Sequence, residues 1–472
     1  MADGLKNWSE LGEDLLCRIG QCLRTLEDVI RSRAVCKPWR RALLPEQQRR
    51  FSPFTQWLML PFCRSNNMNM EISIRSTISD SLAAAAVATP VTGCKGSENC
   101  RCFYNVALHQ FHHIEFPQGL QGKRYRGSTM GWLCIVDKTP SISLLNPLTK
   151  TEIPLPPATS FPDVLAYRPE KARGEYLLRM ADGSEESISK NFFLKKYLKR
   201  VVVSAEPTLQ ECIVMAIRWN TEDNRLAFCR PAEIEAGWKL VAHEEENGIP
   251  PDKIGFVDVV FWRDRFYALD WGGRILVCDF SANPHHPTLS FFLEFHSNRY
   301  GYSYADNQYL VVCPAAVTGD DDDQLVMVSR FTKWMDIDES DDDSNSDDDC
   351  EPSNTARTYW AEKFKVFKMK KDVVGWDEFN SIGEFALFLG FSSSATFVHT
   401  KAHPGVVPNS IYFTDDIIDS HRGRMHGGHD MGVYNLATQK VMPLYSTTTL
   451  HDNPVMISPL PLWFSPSIVT GS

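Results

Sequence analysis

From Phe54 onward the chain is a succession of short apolar runs of strand length, each closed by a turn signal. Typical runs occupy 132–137, 257–262, 265–270, 309–314 and 410–416. Runs of this length, punctuated by Gly, Pro, Asn and Asp, are the pattern of antiparallel strands joined by hairpins. The segment 191–200 alone reads as a short helix within them. Many strands and few helices exclude a doubly wound parallel sheet and leave a sandwich, a barrel or a propeller.

Several units share one internal order. In 256–280 an apolar strand meets the turn Arg263-Asp264, then an aromatic strand, then the turn Gly272-Gly273, then another strand. The segment 131–157 repeats that order with a Pro-rich exit, and 410–416 followed by 431–444 does so again. Strands closing such units begin near Leu144, Leu226, Ile275, Lys365 and Gly432. Their spacing is irregular against the roughly 40–50 residues of a propeller blade. The expectation is a mainly β chain, with an irregular propeller of about six or seven blades over 54–462. A length of 472 residues and an aromatic content of 11% suit that reading.

One stretch cannot pack. Residues 336–351 hold eight Asp and two Glu without Lys or Arg, and they account for the whole net charge of −10. We expect a disordered loop inside one blade, reaching back to 319–323 around an apolar strand at 325–331. Ser340, Ser344 and Ser346 each have an acid three positions later, a pattern acidophilic kinases favour. The electrically balanced remainder argues against a nucleic-acid binder working through a basic field. The 13 Cys are scattered and odd in number, and the start carries no secretory signal. Free thiols in a reducing compartment, the nucleus and/or cytoplasm, are the expectation.

The first fifty residues differ. Leu15, Leu16, Ile19 and Leu23 recur at helical spacing. Asp28 stands where a second helix would be capped, and Pro38 and Trp39 open a third that Pro45 ends. Three short helices of about 40 residues bury too little to be very stable alone. We therefore divide the chain into a helical domain at 1–50 and the β domain, with the acidic insert around 336–351.

No phosphate loop, nucleophile elbow or kinase signature is present. Cys94, Cys100 and Cys102 lack the paired spacing of structural zinc sites and read as a reduced turn. The stretch holding Asp415, Asp416, Asp419, His421, His426, His429 and Asp430 reads as a solvated hairpin insert. The basic run 195–200 reads as the polar face of a surface helix. The expectation is no metal, no cofactor, no catalytic residue and no membrane or nucleic-acid partner.

The opening segment 8–43 resembles an F-box. It has the family's Leu-x-x-Asp-Leu-Leu opening in Leu11, Asp14, Leu15 and Leu16, followed by Ile19 and Leu23. It closes with Val35, Cys36, Lys37, Trp39 and Arg40. Gly12 stands where the family usually has Pro. The remainder resembles the plant F-box family whose C-terminal part is read as a kelch-like β-propeller, on 144–157, 410–416 and 432–444. The resemblance implies a non-catalytic substrate receptor of an SCF-type ubiquitin ligase. Leu11, Gly12, Leu15, Leu16, Ile19, Leu23, Val35, Cys36 and Trp39 would then contact or support a Skp-type adaptor bound to cullin. The propeller would hold a target protein. The alternatives are a propeller enzyme or sugar-binding protein with a helical N-terminus, and an F-box scaffold without ubiquitin transfer.

Overall fold

A computed structural model describes residues 11–23, 31–43, 56–60, 73–74, 99–117, 123–171, 175–180, 182–219, 224–241, 255–281, 283–293, 307–337, 356–370, 375–390, 395–416, 430–446 and 461–467. Two helices open it, α1 (Glu13–Cys22) and α2 (Lys37–Ala42). Residues 31–33 are helical, and the rest of the expected second helix lies outside the described residues.

After α2 the described residues are dominated by strands. Sheet I joins the two ends of the β domain: β1 (Trp57–Met59) pairs with β3 (Cys100–Asn105) and with β30 (Leu462–Phe464), and β4 (Gln110–Glu115) lies outside β3. A small pair, β2 (Ser73–Ile74) and β29 (Tyr445–Ser446), stands apart. Sheet II is the meander β5 (Arg124–Thr129), β6 (Trp132–Val136), β7 (Ile142–Leu145) and β8 (Glu152–Leu155). A three-stranded sheet follows, β9 (Val164–Arg168), β10 (Glu175–Arg179) and β11 (Glu185–Ser189), and then α3 (Lys190–Lys196).

Sheet III is β12 (Leu198–Val203), β13 (Val214–Trp219), β14 (Asn224–Cys229) and β15 (Lys239–Leu240). Sheet IV is β16 (Phe256–Trp262), β17 (Arg265–Asp270), β18 (Ile275–Asp279) and β19 (Thr288–Leu293). Sheet V is β20 (Asn307–Cys313), β21 (Gln324–Ile337), β22 (Ala356–Met369) and β23 (Trp376–Glu378), with the short helix α4 (Ala315–Thr318) after β20. Sheet VI has the order β25-β24-β26-β27-β28, from β24 (Phe385–Leu389), β25 (Thr396–His399), β26 (Ser410–Phe413), β27 (Gly432–Asn435) and β28 (Lys440–Pro443). Its β24 and β26 run parallel, the one departure from antiparallel pairing among the described strands.

Among the described residues, six sheets thus have four or five strands, and successive ones share buried clusters. Leu133, Phe103 and Phe464 join I to II; Met215, Phe228 and Phe266 join III to IV; Leu269, Leu310 and Trp376 join IV to V; Val328, Phe364 and Phe413 join V to VI. Tyr104, Phe388 and Trp463 join VI back to I. Between II and III the cluster also takes in Tyr176 and Ile188 of the three-stranded sheet and Phe193 of α3. Strand β5 nevertheless touches β12 directly, so that extra sheet lies outside the inner succession of first strands. This is the packing of a β-propeller, closed by strands from both ends of the β domain.

Three expectations are corrected. The strands beginning near Leu144, Leu226, Ile275 and Lys365 are third strands, each followed by a fourth. Residues 319–323 form an ordered turn, with Ala315 N–H donating to Asp323 Oδ1 at 2.9 Å, and the strand after it runs to Ile337. The helix near 191–200 ends at Lys196, because Leu198 already begins β12. The hairpin turns hold: Arg263 and Asp264 have φ of 47° and 60°, as a two-residue type I′ turn requires. The acidic residues 338–351 lie outside the described residues.

Candidate functional site

The helical unit has a core of its own. Leu16, Trp39, Ala42 and Leu43 are buried together, with Leu11, Cys17, Ile19, Leu23 and Cys36 packed around them. Gly20 lets α1 approach α2 closely, since a Cβ there would stand 2.5 Å from Leu43 Cδ2. Pro38 sits in the first turn of α2, where its missing N–H costs nothing, and Arg33 Nη1 donates to Leu43 O at 3.0 Å. The apolar stripe therefore splits. Leu16, 1% exposed, and Trp39 support the unit from inside, while Leu15 and Val35, 52% and 56% exposed, stand in solvent. Gly12, also exposed, caps α1 with φ −60° and ψ 147°.

The propeller has two distinguishable faces. Arg200 near the start of β12 pairs with Asp258 of β16, and Asp258 Oδ2 accepts from Leu310 N–H of β20. The starts of these first strands lie side by side. The strand ends that flank the connections 271–274, 338–355 and 417–429 lie on that same side, because Asn307 at the start of β20 donates to Asp416 at 2.9 Å. The chain from the helices reaches β1 at Trp57, opposite Phe464 at the far end of first strand β30. The helical unit thus joins the face opposite to those connections.

The upper face carries its largest exposed apolar groups on two hairpins. Trp271, 59% exposed, is held by its N–H donating to Gly255 O, with Lys199 Nζ 5.7 Å from its ring. Beyond Phe331, strands β21 and β22 pair chiefly with each other, and Trp334, Met335 and Trp360 are exposed on this extension. Beneath it lies a buried charged network. Arg330 reaches Asp416 and, at 2.6 Å, Asp430, while Tyr359 O–H donates to Asp415 at 2.8 Å. Burial pushes the Asp430 carboxyl up, partly opposed by Arg330, and burial with Asp415 pushes the Tyr359 phenol far up.

This network corrects the reading of Asp415, Asp416 and Asp430 as solvated: Asp415 and Asp430 are buried, Asp416 is half-buried with its carboxylate on Arg330, and the three pin both ends of the 417–429 connection. Asp419, His421, His426 and His429 lie outside the described residues. Of the basic run 195–200, only Lys195 and Lys196 stand on α3, and the rest is no helix face. Tyr197 is buried and donates to Asp163 at 2.8 Å, and Arg200 is buried against Asp258. Cys100 and Cys102 stand on β3, not in a turn, and Cys94 lies outside the described residues. No group of metal-ligating side chains is assembled among the described residues. Sequence reasoning missed Arg330 and took Arg200 only as part of a basic run, because their partners lie far along the chain. The one signal at Arg330 is an Arg that follows an apolar run within its strand.

The family model of the KIB1-4 β-propeller matches residues 103–435. F-box protein At2g26160 of Arabidopsis thaliana is 22% identical over 422 residues, covering 87% of this chain and 96% of its own. A second Arabidopsis thaliana relative carrying an F-box name, At5g55150, is 25% identical over 321 residues, covering 68% and 72%. The solved complex of KlAtg21 with the coiled coil of AgAtg16 matches 60% of this chain at 11% identity with a TM-score of 0.23, too low to carry an argument. A propeller model spanning most of the sheets, on a ring whose ends close in one sheet, settles the assignment: the chain belongs to the KIB1-4 β-propeller family.

Proposed function

We propose that the chain is the substrate-recognition subunit of an SCF-type ubiquitin ligase, working in the nucleus and/or cytoplasm. The helical unit docks on a Skp-type adaptor, which links it to cullin, and the upper face of the propeller holds a target protein. The chain performs no chemistry; it raises the concentration of the target near a charged ubiquitin carrier. One observation carries the reading. A unit whose core is four residues keeps Leu15 and Val35 in solvent, beside the F-box-like spacing of Leu11, Leu15, Leu16 and Ile19. Exposed leucine and valine on a small rigid unit are what an adaptor interface would cover.

The test is co-purification of the full chain with a Skp-type adaptor. Leu15→Ala with Val35→Ala should weaken binding by on the order of thirtyfold or more, if covering each side chain contributes about 1–1.5 kcal/mol. The propeller's melting transition should not move. Normal binding by the double variant, or none by the wild type, would overturn the reading.

A further inference from the structure

We propose that Leu23 and the turn at 146–151 lock the helical unit to the propeller, so that the two are held in one fixed arrangement. Leu23 follows α1 directly and packs against the Leu16, Trp39 and Leu43 core. The same side chain packs against the cluster joining sheets I and II, which includes Trp57, Phe103 and Leu133. It is the one apolar side chain shared by the helical core and a propeller core among the described residues. An adaptor contact would have to expose it, as Leu15 and Val35 are exposed.

The propeller's half of the joint is rigid. Leu148 packs against the same cluster from the turn between β7 and β8. Asn146, wholly buried, builds that turn: its Oδ1 accepts from Leu148 N–H at 3.0 Å and Thr149 N–H at 3.1 Å. Its Nδ2 donates to Ser467 O at 3.0 Å, and its own carbonyl accepts from Lys150 N–H at 2.8 Å. A side-chain amide satisfied on both ends fixes the backbone as an Asx turn does. The 144–157 motif, quoted above as a mark of resemblance, thereby acquires a mechanical task. It seats Leu148 at the face where the helices join, opposite the hairpins carrying Trp271 and Trp360. The lock stands on packing alone. Its consequence, a fixed distance between adaptor and target, rests on the receptor reading.

The test uses the full chain with non-canonical spin labels at Arg18 and Lys138, since 13 Cys preclude thiol labelling. Pulsed electron spin resonance should give one narrow distance distribution for the wild type and for Leu23→Met. Leu23→Ser and Leu148→Ser should both broaden it, while Leu148→Ser, outside the helical unit, changes affinity for a Skp-type adaptor by less than about threefold. Leu148→Ser lies in the propeller and cannot act by unfolding the helices. A broad distribution in the wild type, or a narrow one in Leu148→Ser, would overturn the lock. So would a loss of adaptor binding in Leu23→Ser with the distribution unchanged, which would place Leu23 on the adaptor surface. If the wild type binds no adaptor, the receptor reading fails while the distance distribution still decides the lock.

Discussion

Arg200 Nε and Asp258 Oδ1 meet at 2.8 Å across the joint between sheets III and IV, and both side chains are buried. The second oxygen of Asp258 accepts from Leu310 N–H at 2.8 Å, so one carboxylate ties together three successive first strands. Burial pushes this carboxyl up, while Arg200 and the backbone donors pull it back down. Such a pair adds little net stability over a well-packed apolar pair, but breaking it strands a buried charge.

Asp258→Ala should therefore destabilise the propeller by about 3–5 kcal/mol, because Arg200 is left buried without its carboxylate. Thermal melting of the two proteins checks this. A loss of only a few tenths of a kcal/mol would mean that water reaches Arg200.

Asp430 should reveal itself through pH. Burial, with Asp415 beside it, raises its carboxyl above the ordinary 3.8 despite the pull of Arg330. A raised carboxyl binds its proton more tightly in the folded chain than in the unfolded one. Its contribution is fully present below 3.8 and is lost as pH rises through the raised value. Asp430→Asn cannot take up that proton, so the melting gap between wild type and variant should widen from pH 7 towards about pH 4.5. A gap that narrows on acidification would reverse the sign of the shift.

The architecture was legible in the sequence because inner strands are apolar on both sides and read as unbroken runs. Fourth strands were not: Glu152–Leu155 and Lys440–Pro443 are four residues long, each opens on a charged residue and holds a Pro, and both are largely exposed, so no long apolar run marks them. Helical spacing found the stripe in α1, yet it could not say that Leu16 turns inward and Leu15 outward, since only the packing of α2 decides that. The acids at 415, 416 and 430 looked like a solvated loop because Arg330, which neutralises them in part, comes from another sheet.

The acidic insert should be dispensable for folding. The paired register of β21 and β22 ends at Ile337 opposite Ala356, where a tight turn can close the hairpin. Replacing residues 338–355 by Asn-Gly should leave the melting temperature unchanged within error and remove nine acids. A large fall in melting temperature would show that the insert contributes to the fold.

Closure of the ring depends on the last described strand. Trp463 is buried between sheets VI and I, and its Nε1 donates to Leu389 O at 2.8 Å. Trp463→Ala should cost about 3–5 kcal/mol from the lost volume alone. Truncation before Pro461 should do more, since it removes β30 and exposes the edge of β1. Size-exclusion chromatography should then show aggregate. Recovery of a monomer with wild-type melting would refute closure by these strands.

Gly12 offers the opposite kind of change. Its φ of −60° is already the value a proline ring imposes, and a Cβ there would meet nothing within 4 Å. Its carbonyl accepts from Leu15 and Leu16 N–H, an interaction that proline retains. Gly12→Pro should therefore stabilise the helical unit by about 0.4–1 kcal/mol, mainly by restricting the unfolded chain. Because Leu15 keeps its place in the first turn of α1, adaptor binding should be unchanged or slightly tighter. Hydrogen exchange at the α1 amides measures the first effect and adaptor titration the second. Faster exchange in the variant would mean that Leu11, which proline forces into extended backbone, cannot adopt it here.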